Sequence, residues 1–279
     1  MAEIDSLVAS TFGDCKVCFR GQSDQQWDLV PTAYRAFVDL SKTLPFDASN
    51  AADVERDTYR EFDIAASREL GNRQLLERLS IAQHHGVPTR LLDWTLSTSV
   101  AAYFAASANP TKSAAIWALN LSKFPFPASL GRQLPEGGFT LEKINYYCRG
   151  VVASFAQPVS KPIAAPTQPP STPDSTFVVW KPARVDERLQ RQNGLLSWFH
   201  SFDETDVNWN YTEHIVSCEQ RTGCNLLAKF VLPDTAKPRV FEQLARLGIT
   251  AHHLFADLDG LGQYLAWKHH RMVEVACGP

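Results

Sequence analysis

The stretch "LLDWTLSTSVAAYFAASANPTKSAAIWALN", residues 91–120, decides the fold. Its first four residues are short and apolar. Thr95 or Ser97 can cap a helix, because a hydroxyl oxygen there accepts from an N–H that the first turn leaves unpaired. "STSVAAYFAASA" follows with the alanine content of a helix, and Pro110 ends it because proline supplies no N–H. "AAIWALN", 114–120, then reads as a buried strand. A helix leading directly into a buried strand excludes an all-α and an all-β chain.

Outward from this stretch the same alternation continues. Residues 12–20 read as a strand. Residues 50–84 read as helix, with apolar positions at three- and four-residue spacing, a break at Gly71-Asn72 and a stop at Gly86-Val87-Pro88-Thr89. "TFVVW", 176–180, and "NLLAKFVLP", 225–233, read as strands. Residues 184–199 fit either a helix with a glycine stop or a loop feeding a strand. "KPRVFEQLARLGI", 237–249, carries Pro238 in its first turn and Gly248 as a C-cap, the pattern of a short helix. A turn and a last helix follow. The expectation is an α+β fold, a central mixed or antiparallel sheet with flanking helices, in one domain over residues 1–279. The Pro-, Ala-, Ser- and Thr-rich segment 157–175 reads as a polyproline-like insertion.

Composition narrows the function classes. The chain has 279 residues, is 44% hydrophobic and 20% charged, and carries a net charge of −3. No global basic bias argues for nucleic-acid binding. No apolar run approaches the ~18 residues of a membrane span, and the acidic N-terminus lacks a signal-peptide core. A cytoplasmic protein without a membrane partner is expected. The six cysteines do not form a disulfide framework pattern. Cys15 and Cys18 have CxxC spacing, but without a second such pair no structural zinc is expected.

"VCFRGQSDQQWDLVPTAYR", 17–35, places Arg20 at a strand end beside Gly21. Either Arg20 makes a surface ion pair, or it stands at a cleft mouth where Gly21 lets a ligand reach the backbone. His84 and His85 end a helix, where His84 suits the dipole and His85 faces inward as a candidate catalytic group. Arg90 and Asp93 form an ion pair that holds their loop, or Arg90 is an anion ligand. Ser97, Thr98 and Ser99 either cap the next helix or, with its free N–H groups, bind an anion. Trp94, Tyr103 and Phe104 are core residues or stacking platforms. Asp257 and Asp259 are acids or helix caps. No metal-ligand spacing completes a site, so no metal is expected.

Three stretches, "FRGQ" at 19–22, "AQHHGVPTRLLDWTLSTSVAAYFAA" at 82–106 and "LGITAHHLFADLDGL" at 247–261, resemble the FRG domain family, named for its Phe-Arg-Gly motif. The resemblance spans roughly residues 12–265. Members of that family mostly lack an assigned activity. More remotely, the order of motifs resembles the ADP-ribosyltransferase plan of the Arg-Ser-Glu type. That resemblance implies an ADP-ribosyltransferase-like split sheet, with an arginine on the first strand holding NAD. It also implies a Ser-Thr-Ser segment before a helix and a glutamate acting from a later loop. Arg20 matches the first motif and Ser97-Thr98-Ser99 the second. Glu187, Gln190 and Gln192 compete for the third, with Gln192 first and Glu187 second; "DERLQRQNG" departs from the plan by having no Glu-x-Glu pair. The implied activity is ADP-ribosyl transfer or NAD glycohydrolysis, as in a bacterial toxin or anti-phage effector. NAD would be the nucleotide and a protein or nucleic acid the acceptor. Two other readings stand beside it. One is a nucleotide-sensing module without catalysis, the other a hydrolase or nuclease acting through His85, Asp93 and Asp257.

Overall fold

A computed structural model describes residues 2–41, 48–73, 75–123, 175–182, 187–201 and 210–277. The chain opens with helix α1 (Ala2–Phe12), strand β1 (Val17–Gln22) and helices α2 (Thr32–Ser41), α3 (Ala48–Ala65), α4 (Ser67–Leu70) and α5 (Leu75–His84). Strand β2 (Leu91–Thr95), helix α6 (Thr98–Ala106) and strand β3 (Ala114–Asn120) follow. The second part contains β4 (Ser175–Trp180), α7 (Glu187–Arg191), β5 (Gly194–Ser201), α8 (Tyr211–Thr222) and β6 (Leu227–Leu232). It closes with α9 (Lys237–Arg246), α10 (Ala251–Phe255) and α11 (Leu258–Cys277). The fold is α+β, and the strands form one sheet in the order β4-β5-β2-β1-β3-β6 with every neighbouring pair antiparallel.

Strand alternation divides the core between the two faces of this sheet. Cys18, Leu92, Trp94 and Trp117 pack on one face with Leu29 and with Tyr211 and Ile215 of α8. Phe19, Ile116 and Ala118 pack on the other with α6, Leu244 of α9 and Leu254 of α10. β3, apolar but for its last residue, is therefore buried along its whole length. Burial pushes the Cys18 thiol well above its ordinary value.

β1 and β2 meet at a single register pair, Phe19↔Thr95. β1 keeps its pairing with β3 from Val17 to Gln22, and β2 keeps its pairing with β5 from Leu91 to Thr95. Beyond Phe19 the two inner strands part, and the sheet opens in its middle.

Several expectations are corrected. The strand expected at 12–20 runs instead from Val17 to Gln22, after a helix followed by Gly13 at φ +62. Phe12 belongs to α1 and sits in the core. Arg20 thus lies inside its strand and not at the end. Gly21 does not leave room for a ligand: an added Cβ would collide with the Ala101 carbonyl oxygen and stand 2.7 Å from the Ala105 nitrogen. The glycine lets the main chain of α6 lie directly on β1. Residues 184–199 contain both alternatives, helix α7 and strand β5. Helices α1, α2 and α8 lie outside those that the sequence predicts. Residues 157–174 of the Pro-rich segment lie outside the described residues, and Ser175 opens β4. Among the described residues no helix is long and apolar enough to cross a membrane.

Candidate functional site

The site grows from the gap between β1 and β2. Alternation puts Cys18, Arg20 and Gln22 on one face of β1. Asp93 shares the face of Thr95, on the opposite side. The Arg20 guanidinium spans the gap: Nη1 donates to the Asp93 carbonyl oxygen at 2.6 Å and stands 3.9 Å from Asp93 Oδ2. The Arg20 side chain is only 13% exposed, and its buried Nε has no hydrogen-bond partner among the described residues. Burial pushes its pKa down to about 10; Asp93 opposes that shift and the like charge of Arg35 adds to it. The Asp93 carboxylate acts at long range on both guanidinium groups.

Asp93 is itself fixed. Its Oδ1 accepts from Gln83 Nε2 at 2.7 Å, and Gln83 Oε1 accepts from Thr89 Oγ1 at 2.5 Å. The carboxylate is 56% exposed and lines a hollow of about 60 Å³ with Ser80, Gln83, His84, Arg188 and Gln192.

The segment around Gln192 lines the same hollow. The Gln192 carbonyl accepts from Thr95 Oγ1 at 2.7 Å, and the Leu96 N–H donates to the Asn193 carbonyl at 3.1 Å. Asn193 has φ +47, which turns the chain sharply into β5. The Gln192 side chain is buried and donates from Nε2 to the Leu254 carbonyl at 3.3 Å. Glu187 stands apart from the hollow: it is 67% exposed and paired with Arg191 at 2.7 Å, one turn along the same helix. Gln190 is exposed too.

Ser97 is the N-cap of α6, with Oγ accepting from the Val100 N–H at 3.4 Å. Thr98 and Ser99 form the first turn and are half-buried. Thr95 Oγ1 accepts from the Ser97 N–H at 3.0 Å. The hydroxyl cluster is thus divided between holding Gln192, capping α6 and standing in the first turn beside the Gln192–Asn193 corner.

Other expected site residues are placed elsewhere. Arg90 is not an anion ligand, nor the partner of Asp93. Its Nε and Nη2 donate to the Glu55 carboxylate at 2.6–2.9 Å, and its backbone N–H donates to the same group at 3.1 Å. Tyr34 Oη also donates to Glu55, at 2.6 Å. Burial alone would lower the Arg90 pKa, but Glu55 together with Tyr34 and Tyr211 outweighs it and holds the guanidinium above the ordinary arginine range. Trp94 and Tyr103 are buried core residues and not open platforms. Trp94 donates from Nε1 to Ser197 Oγ at 2.8 Å, and Tyr103 packs on Phe241, on the face of the sheet opposite Arg20. Phe104 packs edge-on against Phe255.

His85 is exposed and lines a separate hollow of about 470 Å³ with Phe62, Leu70 and Arg73, while His84 borders both hollows. Asp257 accepts from the Gly260 N–H at 2.6 Å and so stabilises the first turn of α11, and Asp259 is exposed. His85, Asp93 and Asp257 do not converge on one hollow. Among the described residues no group of three His, Cys, Asp or Glu side chains could hold a metal ion.

The sequence reading missed Arg35, Gln83, Trp27 and Glu55. Glu55 carried a signal: it sits four residues before Tyr59 and seven before Phe62, on the apolar stripe of α3. A larger cavity, about 870 Å³, lies between α6, α9, α10 and α11 and is lined by Tyr103, Phe241, Tyr264 and Trp267. Its size exceeds that of the hollow beside Asp93, but among the described residues its ring-lined wall lacks a buried, under-partnered charge. Lys237, which lines it, already donates to three carbonyl oxygens at 2.8–2.9 Å.

Residues 15–114 match the model of the FRG domain, so the chain carries an FRG domain over that stretch. The match takes in "FRGQ" and the motif at 82–106; "LGITAHHLFADLDGL" lies beyond it. No curated protein and no solved structure matches the chain.

Proposed function

We propose that this FRG domain binds NAD at the gap between β1 and β2, with Arg20 as the pyrophosphate ligand. The activity we assign is that of an ADP-ribosyltransferase-like enzyme or NAD glycohydrolase. One observation carries the reading: a guanidinium almost removed from water has one hydrogen bond, to a main-chain carbonyl, and a buried Nε without a partner among the described residues. Arginine has five N–H donors in a fixed fork, and leaving buried donors unpaired is costly. A pyrophosphate supplies paired anionic oxygens that match this fork. Arg90, equally out of water, is held on two of its nitrogens by Glu55 and marks what a structural arginine looks like in the same fold. The parting of β1 from β2 agrees with the split sheet that the transferase resemblance implies.

In the proposed reaction the bond from ribose C1′ to the nicotinamide nitrogen breaks. The electron pair leaves with nicotinamide, and C1′ takes on positive charge before water or an acceptor oxygen or nitrogen attacks it. Water loses its proton to solvent in the glycohydrolase case. A carboxylate near C1′ lowers the barrier by facing that charge. Asp93 supplies a carboxylate on the hollow that Gln192 shares. Gln192 cannot take a proton and can only orient the substrate.

The second reading is a nucleotide-binding module without turnover. It is favoured by the Gln192 side chain's bond to Leu254 and by the pairing of Glu187 with Arg191. Both readings share the Arg20 contact. Calorimetric titration with NAD should show binding to the wild type that Arg20→Ala weakens by about 2–3 kcal/mol, the scale of a charge-assisted contact, with little change in melting temperature. Release of nicotinamide by the wild type then assigns the enzyme, and binding without release assigns the module. No NAD binding at all overturns both.

A further inference from the structure

We infer that the hollow beside Trp27 seats the nicotinamide ring of NAD in its oxidised, cationic form; this rests on the reading of Arg20 just given. The hollow has a volume of about 320 Å³ and is lined by Gln22, Gln26, Trp27, Asp28, Arg35 and Asp39. That volume is at the small end of ligand sites and suits one ring system.

Its position follows from Arg20. Gln22 lies two residues further along β1 and so on the same face. Its side chain is fixed, with Nε2 donating to the Asp28 carbonyl at 3.1 Å and Oε1 accepting from Trp117 Nε1 at 2.6 Å. Arg35, on another wall, is the like-charged neighbour of Arg20 and is held by its Nε bond to the Val30 carbonyl at 3.1 Å. A phosphate on Arg20 therefore has this hollow as its neighbour, with Asp93 within electrostatic reach of both Arg20 and Arg35.

The lining chemistry selects the ring. Trp27 is 48% exposed, although burying an indole is strongly favourable. The loop that presents it is fixed: the Asp24 carboxylate accepts from the Gln26 N–H at 2.9 Å and from Lys112 Nζ at 2.6 Å, and the Trp27 N–H donates to the Asp24 carbonyl at 3.2 Å. An indole face attracts a cation. Asp28 and Asp39 add two negative charges to the lining, which the one positive charge of Arg35 offsets only in part, and Asp28 is oriented by Asn210 Nδ2 at 3.0 Å. A pyridinium is planar and positive and meets both features. A dihydronicotinamide or an adenine is planar but neutral, and gains from the indole alone.

The test compares NAD, NADH and ADP-ribose on the full chain by calorimetry. Wild type should bind NAD about fivefold or more tightly than NADH or ADP-ribose, the scale of one cation–π contact. Trp27→Ala should weaken NAD most, NADH less and ADP-ribose least, and so remove most of the preference for NAD. Trp27→Phe keeps an aromatic face and should retain part of the preference. Equal binding of NAD and NADH by the wild type overturns the inference, as does a Trp27→Ala variant that keeps the full preference. If ADP-ribose binds through Arg20 but NAD gains nothing from Trp27, the inference fails while the reading of Arg20 stands. If none of the three binds the wild type, both fall.

Discussion

Glu55→Ala should destabilise the protein by about 3–5 kcal/mol, the cost of removing one partner from a buried ion pair. The Glu55 side chain is 1% exposed and binds the Arg90 guanidinium, the Arg90 N–H and the Tyr34 hydroxyl. Its removal leaves a buried cation without its counter-ion and a buried hydroxyl without its acceptor. The pair also joins distant parts of the chain: Glu55 is on α3, Arg90 precedes β2, and the Arg90 carbonyl accepts from Tyr211 Oη of α8 at 2.6 Å. At roughly 2–4 °C per kcal/mol for a domain of this size, melting should fall by about 10 °C. A double-mutant cycle separates the pair from the packing. Glu55→Ala with Arg90→Ala should cost little more than Glu55→Ala alone, because the second change removes the stranded charge. A loss below about 1 kcal/mol in thermal or urea unfolding would show that the pair is not a structural anchor.

Gly21→Ala should cost about 3 kcal/mol, at the upper end of overpacking. The atoms in the way are main-chain atoms of α6, the Ala101 carbonyl and the Ala105 nitrogen, and these cannot swing aside as a side chain does. α6 would have to lift from β1, shifting Ser97 and the Gln192 corner with it. Gly262→Ala is the matched control: nothing lies within 4 Å of a Cβ there, and the position is inside α11. It should be neutral or gain up to about 1 kcal/mol from helix propensity. A Gly21→Ala protein that melts with the wild type would mean that α6 does not lie where the main-chain contact puts it.

The contrast between these two glycines shows how far the sequence could be read. Local signals were legible wherever the chemistry is local. Ser97 caps α6 as its hydroxyl suggests, β3 occupies the apolar run 114–120, and Gly71-Asn72 separates α4 from α5. The purpose of Gly21 was not legible, because the helix residues that need it lie eighty positions downstream. Reading that glycine as room for a ligand beside a strand end also ends β1 at Arg20. The site divided in the same way. Gln192 lies beside Thr95 on the hollow that Asp93 lines, whereas Arg90 is drawn off by an acid on a helix 35 residues earlier. Trp94 and Tyr103 face the core because β2 and α6 are covered on the sides that carry them. A periodicity identifies the buried side of a helix or strand. It does not identify which buried charge will find a partner, and that is the property that separates Arg20 from Arg90.

Crystals of the protein grown with ADP-ribose test the role of Arg20 most directly. The expected result is a pyrophosphate oxygen at hydrogen-bond distance, about 2.7–3.0 Å, from Arg20 Nε, with the phosphates between β1 and β2. ADP-ribose bound instead in the groove between α6, α9, α10 and α11, with Arg20 still joined to Asp93 alone, would contradict the assignment.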